Sequence, residues 1–315
     1  MKFKKLGMVA AVALSAIALT ACGTDNKAAF IKNSAELAKL STQKFDLKTD
    51  DLKVISSGDA KAYAPIINGY LSSTKLSGKS VTDGKNAQVN LNISFAGQDI
   101  PLEIVTQDTN AYLKLETLTP LLDTYLQLQS SGDGVSNKKF DMTEIKGKYL
   151  DLNAISKENG QETEAVSTLS TEDAKKALDK AYDSLDKSNF KKDGSAITLT
   201  LSGEQFAKFI KVYLSALPKK SRESFDDLLK DKDFDKNLPK VIKSMVITTD
   251  VKKKSSNAVL NFTGKETQGF GLDGKVAFQT TYASDKVTVK IPSKADRIDS
   301  TNALMQLFSG SAQIN

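Results

Sequence analysis

The chain has 315 residues with 44 basic and 38 acidic side chains, a net charge of +6, one cysteine, and neither histidine nor tryptophan. The absence of histidine excludes Ser-His-Asp and Cys-His catalysis, and it argues against zinc sites of the usual kind. Basic and acidic residues nearly balance, Arg222 and Arg297 are the only arginines, and the one local basic cluster is Lys252-Lys253-Lys254, so nucleic acid is not expected as a partner.

The first 22 residues are organised like an export leader. A basic start, "MKFKK", precedes an uncharged run over residues 6–21, which is shorter than the roughly 20 apolar residues that a spanning helix needs. The run ends in "LTAC" at residues 19–22, and this motif resembles the lipobox of bacterial lipoproteins.

The lipobox implies that Cys22 receives a diacylglyceryl group and that the leader, residues 1–21, is cleaved between Ala21 and Cys22. Two acyl chains are enough for stable anchoring. We therefore expect a lipid bilayer as partner and a lipid-anchored location on the extracytoplasmic face of the cell membrane. The alternatives are an ordinary signal peptide with a chance cysteine and a retained transmembrane anchor. The leader holds three of the lysines and no acid, so the remaining chain carries 41 basic against 38 acidic residues, or +3.

The first half of the chain changes from a helical to a strand pattern. A tether is predicted over residues 22–31, and a helical pattern that starts within it runs on to Leu40. A polar extended stretch and a short helix over 62–71 follow. Strict alternation of apolar and polar residues in "NAQVNLNISF", and again around residues 100–104 and 111–115, predicts an antiparallel meander.

The second half returns to helices and then to strands. An amphipathic helix is predicted over 170–185, with Ser170 as its N-cap, and a strand over 197–201. Ser202 and Gln205 have the spacing of a capping box for the next helix, and "SRESFDDLLK" predicts one more. Alternation then predicts strands in "SMVITTDV", "NAVLNFTG", "GKVAFQTTYA" and "KVTVKIP", and a last helix in "STNALMQLFSG".

Helices segregated from clustered strands predict an α+β fold in one domain over 32–315. The order of segments also suggests a weak internal duplication over about 45–155 and 186–298. The lipobox, the strand and helix in "AITLTLSGEQFAKFIKVYL" and the ending "VTVKIPSKAD" resemble the LolA/LppX superfamily of envelope lipoproteins and lipoprotein carriers. This resemblance implies a strongly curved antiparallel half-barrel, covered by amphipathic helices, that encloses an apolar cavity for lipid or acyl chains.

A non-enzymatic role is expected, without cofactor or metal. Ser-x-x-Lys occurs at 41–44 but without its companion motifs. "DKDFDKN" lacks the glycine and glutamate of a calcium loop. No pair of carboxylates is singled out for glycoside hydrolysis.

The apolar side of the sheet is the remaining candidate site. Its residues either line a pocket for an apolar ligand or simply pack against one another as core. The first case describes a lipid-binding carrier, and the second an envelope interaction or assembly protein with a fully packed sheet. The predicted pocket residues are Val89, Leu91, Ile93, Phe95, Leu199, Phe206, Phe209, Tyr213, Phe262, Phe278 and Tyr282.

Overall fold

The structure, a computed structural model, describes residues 25–49, 51–95, 97–108, 110–123, 143, 145–158, 171–264, 266–267 and 269–311. These residues form an α+β protein with a large, mostly antiparallel sheet, as the sequence predicts. The helices are α1 (Asn26–Ala38), α2 (Ala64–Ser73), α3 (Leu152–Glu158), α4 (Thr171–Asp183), α5 (Gly203–Ala216), α6 (Lys219–Arg222), α7 (Asp226–Lys230), α8 (Phe234–Val241) and α9 (Thr301–Ser311).

The strands follow the alternating segments of the sequence, with several short additions. They are β1 (Thr42–Lys48), β2 (Lys53–Ser56), β3 (Lys75–Asp83), β4 (Asn86–Phe95), β5 (Gln98–Gln107), β6 (Asn110–Lys114), β7 (Tyr149–Asp151), β8 (Phe190–Asp193), β9 (Ala196–Ser202), β10 (Ile242–Asp250), β11 (Ser255–Phe262), β12 (Glu266–Thr267), β13 (Phe270–Asp273), β14 (Lys275–Ala283) and β15 (Arg297–Ile298).

The chain divides into two compact units. The first unit comprises Met1–Thr74 and Thr168–Asp285, and the second comprises Lys75–Ser167 and Lys286–Asn315. Each unit is therefore assembled from two separate stretches of the chain. These boundaries do not coincide with the predicted duplication over 45–155 and 186–298, which stays a prediction.

The first unit contains six antiparallel strands in the order β1-β14-β11-β10-β9-β8. A small second sheet has the order β12-β13-β2. One face of β8, β9, β10, β11 and β14 is covered by α1, α4, α5, α7 and α8, whose apolar side chains form one core with the strand residues beneath them. The predicted capping box is confirmed at the start of α5, since Ser202 and Gln205 bond reciprocally.

The tether predicted over 22–31 is too long. Residues 26–31 belong to α1, which Asp25 caps by accepting a hydrogen bond from the backbone N–H of Ala28. Phe30 is fully buried, and its ring meets those of Tyr182 and Phe190 edge-on. Burial of this aromatic ring stabilises the packing of α1 against the core.

The described residues of the second unit form six strands in the order β15-β7-β6-β5-β4-β3, antiparallel except for the parallel pair β15–β7. The predicted meander is confirmed as β4, β5 and β6. Two small cores flank the sheet, one around Val105 and Tyr112 and the other around Leu115 and Ile145, against which α9 packs.

The strand predicted in "KVTVKIP" is wrong. Residues 286–292 run without strand pairing, although their alternating side chains behave as the pattern requires. Val289 is buried against Val105 and Tyr112, with Val287 and Ile291 packed beside it. The alternation thus reflects one buried side of an extended segment, not a place in a sheet. The helix predicted in "SRESFDDLLK" is also broken, into α6, a 3-10 turn and α7.

Candidate functional site: an apolar strand face

The eleven predicted pocket residues separate into two groups that lie in different units. Seven belong to the first unit and are Leu199, Phe206, Phe209, Tyr213, Phe262, Phe278 and Tyr282. Four belong to the second unit, namely Val89, Leu91, Ile93 and Phe95 on β4. The two groups have different surroundings.

The first group is packed as core. Leu199 and Phe206 are each 1% exposed, and Phe209 and Tyr213 are also buried among the helices of the first unit. Phe262 and Phe278 are half-buried against the same core. Tyr282 is buried as well, and its hydroxyl bonds that of Ser256 at 2.9 Å. Six of these residues belong to one core with the helices, and Tyr282 is buried outside that core beside Ser256.

The second group lies on a more open surface. Val89, Leu91 and Ile93 are half-buried, and Phe95 is 45% exposed. Because side chains alternate across a strand, all four point to the same face of β4. The strand register adds further apolar side chains from β3, β5, β6 and β7 to this face.

The register arranges these side chains in three rows across the sheet. The first row pairs Leu76, Ile93 and Ile100, and the second pairs Gly78, Leu91 and Leu102. The third row runs through Ser80, Val89, Ile104, Leu113 and Leu150.

We call the resulting surface the apolar strand face. It comprises Leu76, Val89, Leu91, Ile93, Phe95, Ile100, Leu102, Ile104, Leu113 and Leu150. None of these ten side chains is fully buried. In the first unit, by contrast, the strand residues of the corresponding face, such as Leu199 and Leu201, are each 1% exposed. Helices bury these strand residues in the first unit. On the apolar strand face, Leu150 at the β7 end packs against the core of Leu115 and Ile145, which α9 also contacts.

The opposite face of the same strands is closed by the small apolar core around Val105 and Tyr112 and by a polar network beside it. Tyr149 donates a hydrogen bond to Glu103 at 3.1 Å, and Lys114 lies 3.6 Å from both Glu103 and Glu116. The guanidinium of Arg297 lies 4.4 Å from the centre of the Tyr112 ring. These contacts hold β5, β6, β7 and β15 in register and leave the apolar side chains on the other face.

The tyrosines of this network are not poised for acid–base chemistry near neutral pH. Burial, reinforced by the negative charge of Glu103, raises the pKa of Tyr149 to about 12. Burial also raises the pKa of Tyr112, against the opposing effect of Arg297. Both hydroxyls stay protonated at neutral pH, and that of Tyr149 acts as a structural donor to Glu103.

Two open clefts, lined by described residues of the first unit, differ from the apolar strand face because most of their lining side chains are charged or polar. One of about 580 Å³ is lined mostly by charged side chains, including Lys208, Lys211 and Asp235. The other, of about 320 Å³, lies on strands β1, β11 and β14 and includes Lys48 and Asn257. Neither contains a predicted pocket residue, and neither presents a continuous apolar wall. Within the described part of the chain, no group of three or more acidic or cysteine side chains is placed to hold a metal ion.

Sequence reasoning missed the six members of the apolar strand face that lie outside β4. Alternation in β5 and β6 marks four of them, Ile100, Leu102, Ile104 and Leu113. Leu76 carries no comparable signal, because glycine and serine interrupt the alternation in "KLSGKSV".

The predicted lipidation site lies outside the described residues. Ala21 and Cys22 precede Asp25, the first residue described. The N-cap predicted at Ser170 also falls outside. Among the helices that are described, none has the length and hydropathy needed to cross a membrane. Comparison with protein-family models gives no match, and comparison with curated proteins gives none either.

Proposed function

We propose that the protein is a lipid-anchored extracytoplasmic lipoprotein that binds an apolar ligand, such as a lipid acyl chain, on the apolar strand face. The observation that carries this proposal is the contrast between the two units. Both present alternating apolar strands, but the ten side chains of the apolar strand face are all at least partly accessible. In this proposal the protein has no catalytic role.

The size and chemistry of the face fit such a ligand. Five adjacent strands, β3 to β7, span four interstrand spacings of about 4.8 Å, or roughly 19 Å. Each methylene of a ligand that leaves water for this surface contributes about 0.8 kcal/mol. A chain of ten or so methylenes therefore gains enough to bind after the entropic cost of its immobilisation is subtracted.

The likeness to the LolA/LppX superfamily belongs to the same proposal. A strongly curved half-barrel with an apolar inner side would place this face on the concave side of the sheet. The lipobox at Cys22 supplies the membrane location, since two acyl chains suffice for firm anchoring.

Native mass spectrometry of the protein purified from bacterial membranes, before and after organic extraction, tests the proposal. We expect extraction to remove a non-covalent lipid mass and to leave the covalent diacylglyceryl group on the chain. Leu91→Asp, in the middle row of the face, is expected to abolish the extractable mass, because a carboxylate there must be desolvated when a ligand binds.

Val246→Asp is the matched control. Val246 is also half-buried in a strand, but it lies in the first unit on the face away from the helical core. We expect this variant to retain the extractable mass. A clean mass for the wild-type protein, even after incubation with membrane lipids, would contradict ligand binding.

The packed core of the first unit favours a second candidate, an envelope interaction lipoprotein without a ligand. Phe206, Phe209 and Tyr213 are buried there. This candidate predicts that the wild-type protein carries no extractable lipid mass, and that Leu91→Asp lowers the free energy of unfolding because it places a carboxylate in a packed sheet.

A further inference from the structure

Helix α2 presents its apolar side to solvent. Tyr63 is 64% exposed, Ile66 58%, Ile67 37% and Tyr70 47%. Residues spaced three and four apart lie on one side of a helix, so these four form a continuous stripe, which we call the α2 stripe. None of the residues of α2 itself is fully buried.

Hydrogen bonds on the other side of the helix hold it in this orientation. The side chain of Asn68 accepts from the backbone N–H of Val54 at 2.6 Å and donates to the carbonyl of the same residue at 3.0 Å. The hydroxyl of Thr49 donates to the carbonyls of Leu71 and Thr74. The helix is thus attached to the first unit by polar contacts, and the exposure of the stripe is a fixed feature of the fold.

The charge pattern around α2 suits an anionic lipid surface. Residues 62–74 carry no charged side chain, Lys61 and Lys75 flank them, and the nearest acids in the sequence are Asp59 and Asp83. Each lysine near an anionic leaflet contributes about 1 kcal/mol of attraction. Tyrosine is enriched at membrane interfaces, where its ring lies in apolar material and its hydroxyl in water.

The predicted anchor brings the same unit close to a bilayer. Helix α1 begins at Asn26, four residues after Cys22, so the intervening chain reaches at most about 14 Å. Both α1 and α2 belong to the first unit. A helix of ten residues is about 15 Å long, which is too short to span a bilayer but suits a position in its interface.

We propose that the α2 stripe inserts into the interfacial layer of the membrane to which the protein is anchored. The inference rests on the membrane location proposed above. Insertion of the α2 stripe adds a second, reversible contact with the membrane, and this contact fixes the orientation of the first unit on the lipid surface.

The absence of tryptophan from the chain makes a direct test available. Ile66→Trp and, separately, Tyr70→Trp each introduce a single fluorescent reporter on the stripe. Ser72→Trp is the matched control, because Ser72 is exposed on the same helix but lies on its other side. The full-length variants are reconstituted in vesicles that contain anionic lipid, with and without lipids brominated in the acyl chains.

We expect the emission of Ile66→Trp and Tyr70→Trp to shift to shorter wavelength and to be quenched by brominated lipid, with little quenching of Ser72→Trp. Equal and weak quenching at all three positions would overturn the inference. A blue shift that depends on protein concentration and needs no vesicles would also overturn it, since a second copy of the chain would then cover the stripe.

The mass of the protein after organic extraction reports separately on the anchor. An unmodified Cys22 contradicts the proposed anchoring, whereas the quenching difference between Ile66→Trp and Ser72→Trp decides the inference about α2. The proposed anchor and the inference about α2 can therefore fail independently.

Discussion

Asp25 joins the start of the folded chain to the rest of the first unit. Its carboxylate accepts a hydrogen bond from the backbone N–H of Ala28 and lies 2.7 Å from the ammonium group of Lys187. These two contacts, with the backbone hydrogen bond as the larger cause, hold the pKa of Asp25 below its usual 3.8. Because ionised Asp25 caps α1, its charge is linked to the position of Phe30 in the core.

Acidification is therefore expected to weaken this cap. A group whose pKa is lowered by folding contributes stability that is complete above its unfolded pKa and is lost as the pH falls through the folded value. We expect the difference in free energy of unfolding between wild type and Asp25→Asn to shrink as the pH falls from about 5 towards 2. Urea titrations at each pH measure it. Asn retains a capping oxygen, so a difference that does not vary with pH would contradict the role of the charge.

At the same scale, Leu91 and Leu199 show how far the site could be predicted. Both lie in alternating strand segments, and the sequence around them does not distinguish a buried face from an accessible one. Leu199 is 1% exposed because α1 and α5 pack against β9, whereas Leu91 is half-buried. Alternation reports which side of a strand is apolar. What covers that side depends on helices distant in sequence.

At the scale of elements, two helical glycines have opposite consequences for packing. A Cβ on Gly203, at the start of α5, would overlap the carbonyl oxygen of Ile242 and lie 3.1 Å from the Cα of Pro239. This glycine allows α5 to approach β10 and α8 closely. A Cβ on Gly69, within α2, would meet no atom within 4 Å.

Alanine substitution is thus expected to act with opposite sign at the two positions. Gly203→Ala should lower the free energy of unfolding by about 1–3 kcal/mol, because overpacking forces the backbones apart. Gly69→Ala should raise it by about 0.5–1 kcal/mol, since alanine loses less conformational freedom in a helix. Urea denaturation of both variants measures these changes. A stabilising Gly203→Ala would show that the contact with Ile242 relaxes without cost.

The strand predicted over residues 286–292 does not form, because an alternating pattern does not show whether a neighbouring strand is present. The pattern "KVTVKIP" is indistinguishable from a half-buried strand, and its Val289 is indeed buried. Strand pairing, however, requires a neighbouring backbone, and alternation carries no information about one. The capping box of α5 was predictable because all its atoms lie within four consecutive residues.

For the whole molecule, the sequence predicts the α+β class but not the division of the chain. Each unit combines an early and a late stretch, so that Lys286–Asn315 belongs with Lys75–Ser167. Short β15 pairs in parallel with β7, and α9 packs beside Leu115 and Ile145. Such pairing between distant segments depends on packing contacts that the sequence pattern alone does not show.

The membrane location proposed for the whole molecule depends on one side chain, Cys22. The proposed anchor requires its sulfur, because only a thiolate accepts the diacylglyceryl group; the hydroxyl of serine has a similar size but does not react in its place. Cys22→Ser is therefore expected to abolish incorporation of labelled palmitate and to remove the protein from the membrane fraction. Ser15→Ala, within the apolar run of the leader, is the matched control and should retain both the label and the membrane location. Acyl labelling that persists in Cys22→Ser would show that the lipobox is not the attachment site, whereas an unlabelled protein still held in the membrane would point to a retained leader as the anchor.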